Sequence, residues 1–194
     1  SGLVGYISYD AVRRLERLPD SCVNDLGIPE LAFLLASDLA VLDHHSGEVW
    51  LVANAINFDN TDERVDEAYA DAVARVQSMT ELLIQPTPPG VVLAGFDEST
   101  LPIRRQRTPE EYQRAVSSAV EEIKAGEAFQ IVVSQRFEVD TGADALDIYR
   151  VLRLTNPSPY MYLLRLDDFE IIGSSPEALV TVKGTTAITH PIAG

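Results

Sequence analysis

The sequence predicts an α+β fold with mainly antiparallel sheet, and three observations carry that reading. A long amphipathic helical stretch runs from about Asp62 to Leu83, and a second begins at Thr108. Two β-rich runs flank His44-His45-Ser46-Gly47 in the pattern of a hairpin. Beyond Asn156-Pro-Ser-Pro159 the chain reads as short strands parted by tight turns, a β meander. Helices mixed with hairpins, with no regular strand–helix–strand alternation, argue against a doubly wound fold.

Taken in order, Leu3-Val-Gly-Tyr-Ile-Ser-Tyr9 alternates loosely and reads as a strand. Asp10 then opens a short helical run carrying Val12, Leu15 and Leu18, and Pro19 ends it. Leu31 to Asp43 and Glu48 to Ala55 form the arms of the hairpin. In the next helix Val65, Ala68, Ala72, Val76, Met79 and Leu83 recur at three- and four-residue steps, with charged residues filling the other face. Asn60 followed by Glu63 has the spacing of a capping box. Gln85-Pro-Thr-Pro-Pro-Gly90 stops that helix, since proline fixes φ and cannot donate a hydrogen bond. A subdomain edge is therefore expected at 85–90, between an N-terminal part at 1–84 and a second part at 91–194.

Thr108-Pro109-Glu110-Glu111 spells a helix start: a threonine cap, proline in the first turn and a glutamate able to reach back. Tyr112, Ala115, Val116, Ala119, Val120 and Ile123 make the apolar stripe, and Gly126 is the expected stop. A strand is predicted next, with Phe129, Ile131, Val133, Phe137 and Val139 on one face and Gln130, Ser134 and Arg136 on the other. A short helix spans about Asp144 to Leu154. The meander strands are Tyr160–Leu166, Phe169–Ile172, Ala178–Val182 and Thr185–Ile192, with Asp167-Asp168 and Lys183-Gly184 as turns.

A chain of 194 residues, 46% of them hydrophobic, can bury a substantial core. The net charge of −15, from 30 acidic against 15 basic residues, disfavours a nucleic-acid partner, which calls for a basic stripe. An anionic small substrate would need local compensation by a metal or a few cationic side chains. No window approaches the roughly 18 uninterrupted apolar residues of a membrane span. Ser1-Gly-Leu-Val-Gly-Tyr6 has neither the basic run nor the cleavage pattern of a signal peptide. Cys22 is the single cysteine, so no intrachain disulfide can form and a cytoplasmic setting is the expectation.

Few residues carry a chemical signal. His44 and His45 are adjacent on a strand pattern and point to opposite faces, so they read as a solvated hairpin tip instead of a metal site. Gly2 and Gly5 lack the helix start that a phosphate loop needs. Asp10 and Glu16 read as helix-surface charges, and His190 as a partly buried strand histidine. Glu177 differs. It follows Gly173-Ser-Ser-Pro176 at a strand exit read as a flexible turn, and with Gly194 and the polar face of Gln130 it suggests an acid lining a cleft. The strand ending Thr189-His-Pro-Ile-Ala-Gly194 runs into a glycine at which more chain is expected.

Four motifs occur in order: Gly126-Glu-Ala-Phe-Gln130-Ile-Val-Val-Ser-Gln-Arg136, Asn156-Pro-Ser-Pro-Tyr-Met161, Gly173-Ser-Ser-Pro-Glu177 and Pro191-Ile-Ala-Gly194. Together with the opening Gly2-Leu-Val-Gly-Tyr-Ile-Ser-Tyr-Asp10, this set resembles the chorismate-utilising enzymes, most closely the anthranilate synthase large-subunit branch. The resemblance spans nearly the whole chain and implies part of that fold across 1–194, with the chorismate-binding region starting in 91–194.

The resemblance implies addition of ammonia to C2 of chorismate, loss of the C4 hydroxyl and elimination of pyruvate. Hydroxide leaves poorly, so a positioned acid must protonate it, and the family's glutamate of Ser-Pro-Glu matches Glu177. Gln130, Ala193 and Gly194 fall at substrate-binding positions. Water-using relatives carry a lysine base in place of Gln130, and aminodeoxychorismate synthases carry a nucleophilic lysine in place of Ala193. Gln130 with Ala193 therefore implies direct ammonia addition. Pro159, Tyr160 and Met161 match a feedback pocket for tryptophan. A glutamine amidotransferase partner and magnesium are implied, with the magnesium ligands, catalytic histidine and upstream Leu-Leu-Glu-Ser element expected outside this segment. The segment alone is expected to be inactive. The alternatives are the phenazine-type aminodeoxyisochorismate synthase, aminodeoxychorismate synthase, and a tryptophan-binding regulatory fragment without catalysis.

Overall fold

The structure, a computed structural model, describes residues 2–87 and 102–190. The chain divides into two compact units, Ser1–Pro88 and Pro89–Gly194. Every strand pair is antiparallel, and helices accompany the sheets in both units, as an α+β fold requires.

In the first unit, β1 (Gly2–Ile7) pairs with β2 (Leu31–Ala36) from Gly2↔Ala36 to Ile7↔Leu31. Tyr9–Arg14 between them is a short 3-10 helix that ends well short of Pro19. The expected strand from Leu31 to Asp43 is in fact two. The run breaks at Ser37, and β3 (Asp38–Leu42) turns to pair with β4 (Val49–Ala53) instead. Gly47 takes φ +73° in that turn, and the Asp43 carboxylate accepts the His45 N–H at 2.8 Å.

Helix α1 (Val65–Leu83) starts three residues later than the sequence suggests. The proposed capping box is not formed, because Asn60 lies in the left-handed region at φ 55° and Arg64 occupies the cap without a side-chain capping hydrogen bond. Asp59 takes over the turn, accepting from the Thr61 N–H at 3.0 Å and its hydroxyl at 2.9 Å. Arg75 then ties α1 to the hairpin. Its guanidinium bonds Asp71 one turn back at 2.8 Å, the Asn54 carbonyl at 3.0 Å, and Asp38 on β3.

In the second unit, α2 (Pro109–Ala125) follows its sequence code closely. The Thr108 hydroxyl accepts the Glu111 N–H at 3.2 Å, the Glu111 carboxylate accepts the Thr108 N–H at 2.8 Å, and Gly126 closes the helix at φ 85°. The long strand expected over 129–139 is only partly realised. Residues 130–136 lie outside any ladder, and only β6 (Phe137–Val139) pairs, with β5 (Ile103–Arg105). Helix α3 (Ala145–Thr155) has Asp144 as its cap, accepting the Leu146 N–H at 2.8 Å. The meander becomes two separate hairpins, β7 (Tyr160–Arg165) with β8 (Glu170–Ser175), and β9 (Thr181–Lys183) with β10 (Thr186–Ile188).

The β5–β6 pair is clamped by Arg104, which bonds both oxygens of Asp140 at 2.8 and 3.1 Å and reaches Glu138 at 3.3 Å. Hydrogen bonding to that guanidinium holds the Asp140 carboxyl below its ordinary value. A depressed folded-state pKa contributes stability above the unfolded value of about 3.9, lost as pH falls through the folded value. Asp140→Asn is therefore expected to lower the melting temperature slightly at pH 7, with the difference closing under acid. Thermal unfolding of both proteins at pH 7 and near pH 2 checks this; a difference that persists in acid would assign the effect to something other than the ion pair.

Burial among the described residues is sparse. Ala72 and Ala145 are the buried apolar side chains, and Phe129 and Leu179 stand open at 104% and 93% exposure. The apolar faces of both units are thus largely uncovered, contrary to the substantial core that composition alone allows.

Candidate functional site

The local structure around Glu177 is built by β7, β8 and α3. Strand β8 continues through Gly173-Ser174-Ser175, where the sequence suggested a flexible turn, and ends at Pro176, which cannot donate to a ladder. Glu177 follows directly and is half-buried. The Ser175 hydroxyl donates to the Glu177 carbonyl at 3.0 Å and accepts the Glu177 N–H at 3.4 Å, closing a tight turn at the strand exit.

Glycine at 173 has a packing cause. It pairs across the ladder with Tyr162, and a Cβ there would collide with the tyrosine ring. The ring thus lies over the glycine and fixes the two strands face to face.

Helix α3 is held to this hairpin at both ends. Arg165 on β7 donates to the cap residue Asp144 at 3.1 Å and pairs with Glu170 on β8 at 2.9 Å. At the other end, the Ser174 hydroxyl donates to the Asn156 carbonyl at 2.7 Å. A helix leaves its last carbonyls without intrahelical partners, and here a strand side chain bonds the carbonyl of the capping residue.

The residues expected in a feedback pocket enter β7 directly. Tyr160 pairs with Ser175, and Met161 pairs with Ser174. Alternation places Tyr160 and Met161 on opposite faces, with Tyr160 exposed and Met161 half-buried. Pro159, exposed, precedes them. Between Pro157 and Pro159 the Ser158 hydroxyl is buried without a hydrogen-bond partner among the described residues. Its proline neighbours supply no N–H, and such an unmet group costs about 1–3 kcal/mol.

Gln130 stands apart on the exposed stretch between α2 and β6. Tyr112 of α2 reaches that stretch, its hydroxyl donating to the Val133 carbonyl at 3.3 Å. Ala193 and Gly194 lie outside the described residues. His190 is exposed and follows the end of β10, so it is not a partly buried strand residue. His44 and His45 are exposed at the hairpin turn. Among the described residues no group of three or more His, Cys, Asp or Glu side chains is placed to hold a metal ion. No described helix is long and apolar enough to cross a membrane.

Sequence reasoning named Glu177 and the Pro159–Met161 segment but missed Ser174, Ser175, Tyr162 and Arg165. The signal available was Pro176, a residue that cannot continue a ladder, five residues after Ile171.

Comparison with known proteins gives a consistent result. The family described as chorismate binding enzyme matches residues 1–194. Anthranilate synthase component 1 of Mycolicibacterium smegmatis is 59% identical over 200 residues, covering 100% of this chain and 38% of the relative. The protein of the same name from Mycobacterium tuberculosis strain H37Rv is 57% identical over 199 residues, again covering 100% of this chain and 38% of the relative. The crystal structure of anthranilate synthase component I from Streptococcus pneumoniae TIGR4 superposes with a TM-score of 0.77 at 29% identity, over 97% of this chain and 41% of that one. This chain thus spans about two fifths of the length of the relatives it matches.

Proposed function

This chain belongs to the chorismate-binding enzyme family, and from that premise we propose that it is part of the large subunit of an anthranilate synthase, converting chorismate and ammonia to anthranilate and pyruvate. The observation that carries the reading is the match over all of this chain to relatives named anthranilate synthase component 1, at up to 59% identity. The open apolar faces of both units support action within a longer polypeptide.

In this mechanism the lone pair of ammonia forms the new bond at C2 while the two ring double bonds shift toward C4 and the C4–O bond breaks. The resulting ammonium gives up a proton. Glu177 gives its proton to the C4 hydroxyl, which departs as water. Loss of the C2 proton then breaks the C3–O bond, and the departing enolpyruvate takes up a proton to become pyruvate, leaving the aromatic ring. Glu177 suits the role because the Ser175 turn and Pro176 hold its backbone at the end of a paired strand. Gln130 cannot remove a proton from water, which fits a nucleophile that needs no activation. Ala193 offers no side-chain nucleophile, in contrast to the lysine of aminodeoxychorismate synthases.

Magnesium is proposed as the cofactor, with ligands beyond Gly194; when bound it would neutralise the substrate carboxylate in an acidic protein. The proposed partner is a glutamine amidotransferase that supplies ammonia, and tryptophan is the proposed feedback inhibitor at Pro159–Met161. The cytoplasm is the proposed compartment.

Product analysis of the complete polypeptide with chorismate, ammonium and magnesium tests the reading. Anthranilate and pyruvate in equal amounts support it. An aminated product that retains its enolpyruvyl group would point to the phenazine-type or aminodeoxychorismate enzyme, and absence of turnover with intact tryptophan binding to a regulatory role.

Nucleophile choice gives a further expected outcome. Gln130→Lys places a base where water-using relatives have one; position 130 is exposed in this segment, so the amine becomes partly neutral only where the complete polypeptide covers that stretch. With ammonia withheld, some hydroxylated product should then appear by chromatography. Recovery of chorismate alone would remove Gln130 as the discriminating position.

A further inference from the structure

The β7–β8 register ends at the rung of Tyr160 and Ser175, so the proposed sensor lies on the last two rungs of the ladder and the proposed acid, Glu177, two residues past its end. Met161 lies opposite Ser174 and Tyr160 opposite Ser175, so directly facing side chains share a face at close range. From there two short links lead outward. Ser175 closes the turn that holds the Glu177 backbone. Ser174 bonds back to the Asn156 carbonyl at 2.7 Å, at the start of the segment carrying Pro159.

We propose that Ser174 is a positioning residue that couples tryptophan occupancy at Pro159–Met161 to the placement of Glu177. The inference rests on the tryptophan and Glu177 assignments above. Ser174 meets the sensing segment twice, through the Asn156 carbonyl and across the rung from Met161, and its own backbone is one residue from the Ser175 turn. A displacement of residues 156–161 is therefore transmitted to β8 by a hydrogen bond and a strand pair, with no intervening mobile loop. The clamp at the far end, where Arg165 joins Asp144 and Glu170, keeps α3 and the hairpin from absorbing the shift by sliding. The sensing segment also has a reason to move. Its Ser158 hydroxyl is buried without a hydrogen-bond partner among the described residues, so an arrangement that gave it one would gain a hydrogen bond. Coupling between sites requires such an element with two arrangements, each biased by one ligand.

The test uses the complete polypeptide with magnesium and measures ammonia-dependent kcat at saturating chorismate, with and without saturating tryptophan, alongside tryptophan affinity by calorimetry. The ratio of the two kcat values is the coupling factor. Ser174→Ala is expected to keep tryptophan affinity in the absence of chorismate within about threefold. Its coupling factor should fall about tenfold toward unity. Ser174→Thr, which keeps the hydroxyl, should restore the coupling. An unchanged coupling factor in Ser174→Ala overturns the proposal, as does loss of turnover and tryptophan binding together in both variants, which would make Ser174 a folding residue. Failure of the parent enzyme to bind tryptophan sinks the sensor assignment itself, a result distinct from an uncoupled variant of a binding-competent parent.

Discussion

Replacing Glu177 by Gln in the complete polypeptide is expected to lower kcat by about two to four decades, the scale for loss of a general acid. The substitution keeps volume and hydrogen-bonding shape but removes the proton that converts the departing C4 hydroxyl to water. The surrounding turn should survive, because the Ser175 hydroxyl bonds the backbone carbonyl and N–H of residue 177. Chorismate KM is expected to change far less than kcat, since the missing interaction belongs to the transition state. Steady-state kinetics with ammonium as nitrogen donor provide the measurement. Near-normal turnover would assign leaving-group protonation to another residue, and an equal loss in kcat/KM through KM alone would make Glu177 a substrate ligand instead.

What could be read before folding divides along the range of the interactions involved. Helix α2 was legible to the residue because its start and stop are written within four positions, Thr108 to Glu111, and in Gly126. The same logic failed at α1. Asn60 and Glu63 have the right spacing, but a cap needs extended backbone, and Asn60 adopts the left-handed turn that Asp59 stabilises. The split of Leu31–Asp43 at Ser37 was hidden for a different reason. Both halves have strand composition, and only pairing partners, β1 for one and β4 for the other, separate them. Residues 130–136 show the converse, an alternating apolar pattern without a ladder. Pattern reports a preference for a pleated surface, and a strand forms only where a neighbour supplies hydrogen bonds. The candidate site followed suit. Glu177 and Met161 were found from motifs, whereas their proximity through Ser174 and Ser175 depends on a register fixed by the Tyr162 ring over Gly173.

That register bears on the second large effect. Met161→Thr in the complete polypeptide is expected to leave anthranilate formation intact while raising the tryptophan needed for half-inhibition by several-fold to about a hundredfold. Site-to-site coupling is typically about 1–3 kcal/mol, which sets that range. Methionine is unbranched and adapts around a flat apolar ring, and threonine shortens the side chain and adds a hydroxyl, so contact with an indole is lost. The strand itself should tolerate the exchange, because β-branched threonine favours a pleated backbone and Ser174 opposite can accept its hydroxyl. Met161 faces away from Tyr160 and Ser175, so the Glu177 turn is not touched directly. Inhibition curves and direct tryptophan titration, run in parallel, separate the causes. Weaker binding with matching weaker inhibition places Met161 in the pocket. Normal binding with weaker inhibition would place it in the coupling path beside Ser174. An unchanged curve with normal activity removes it from both, and loss of activity with unchanged tryptophan binding would move this segment into the reaction centre.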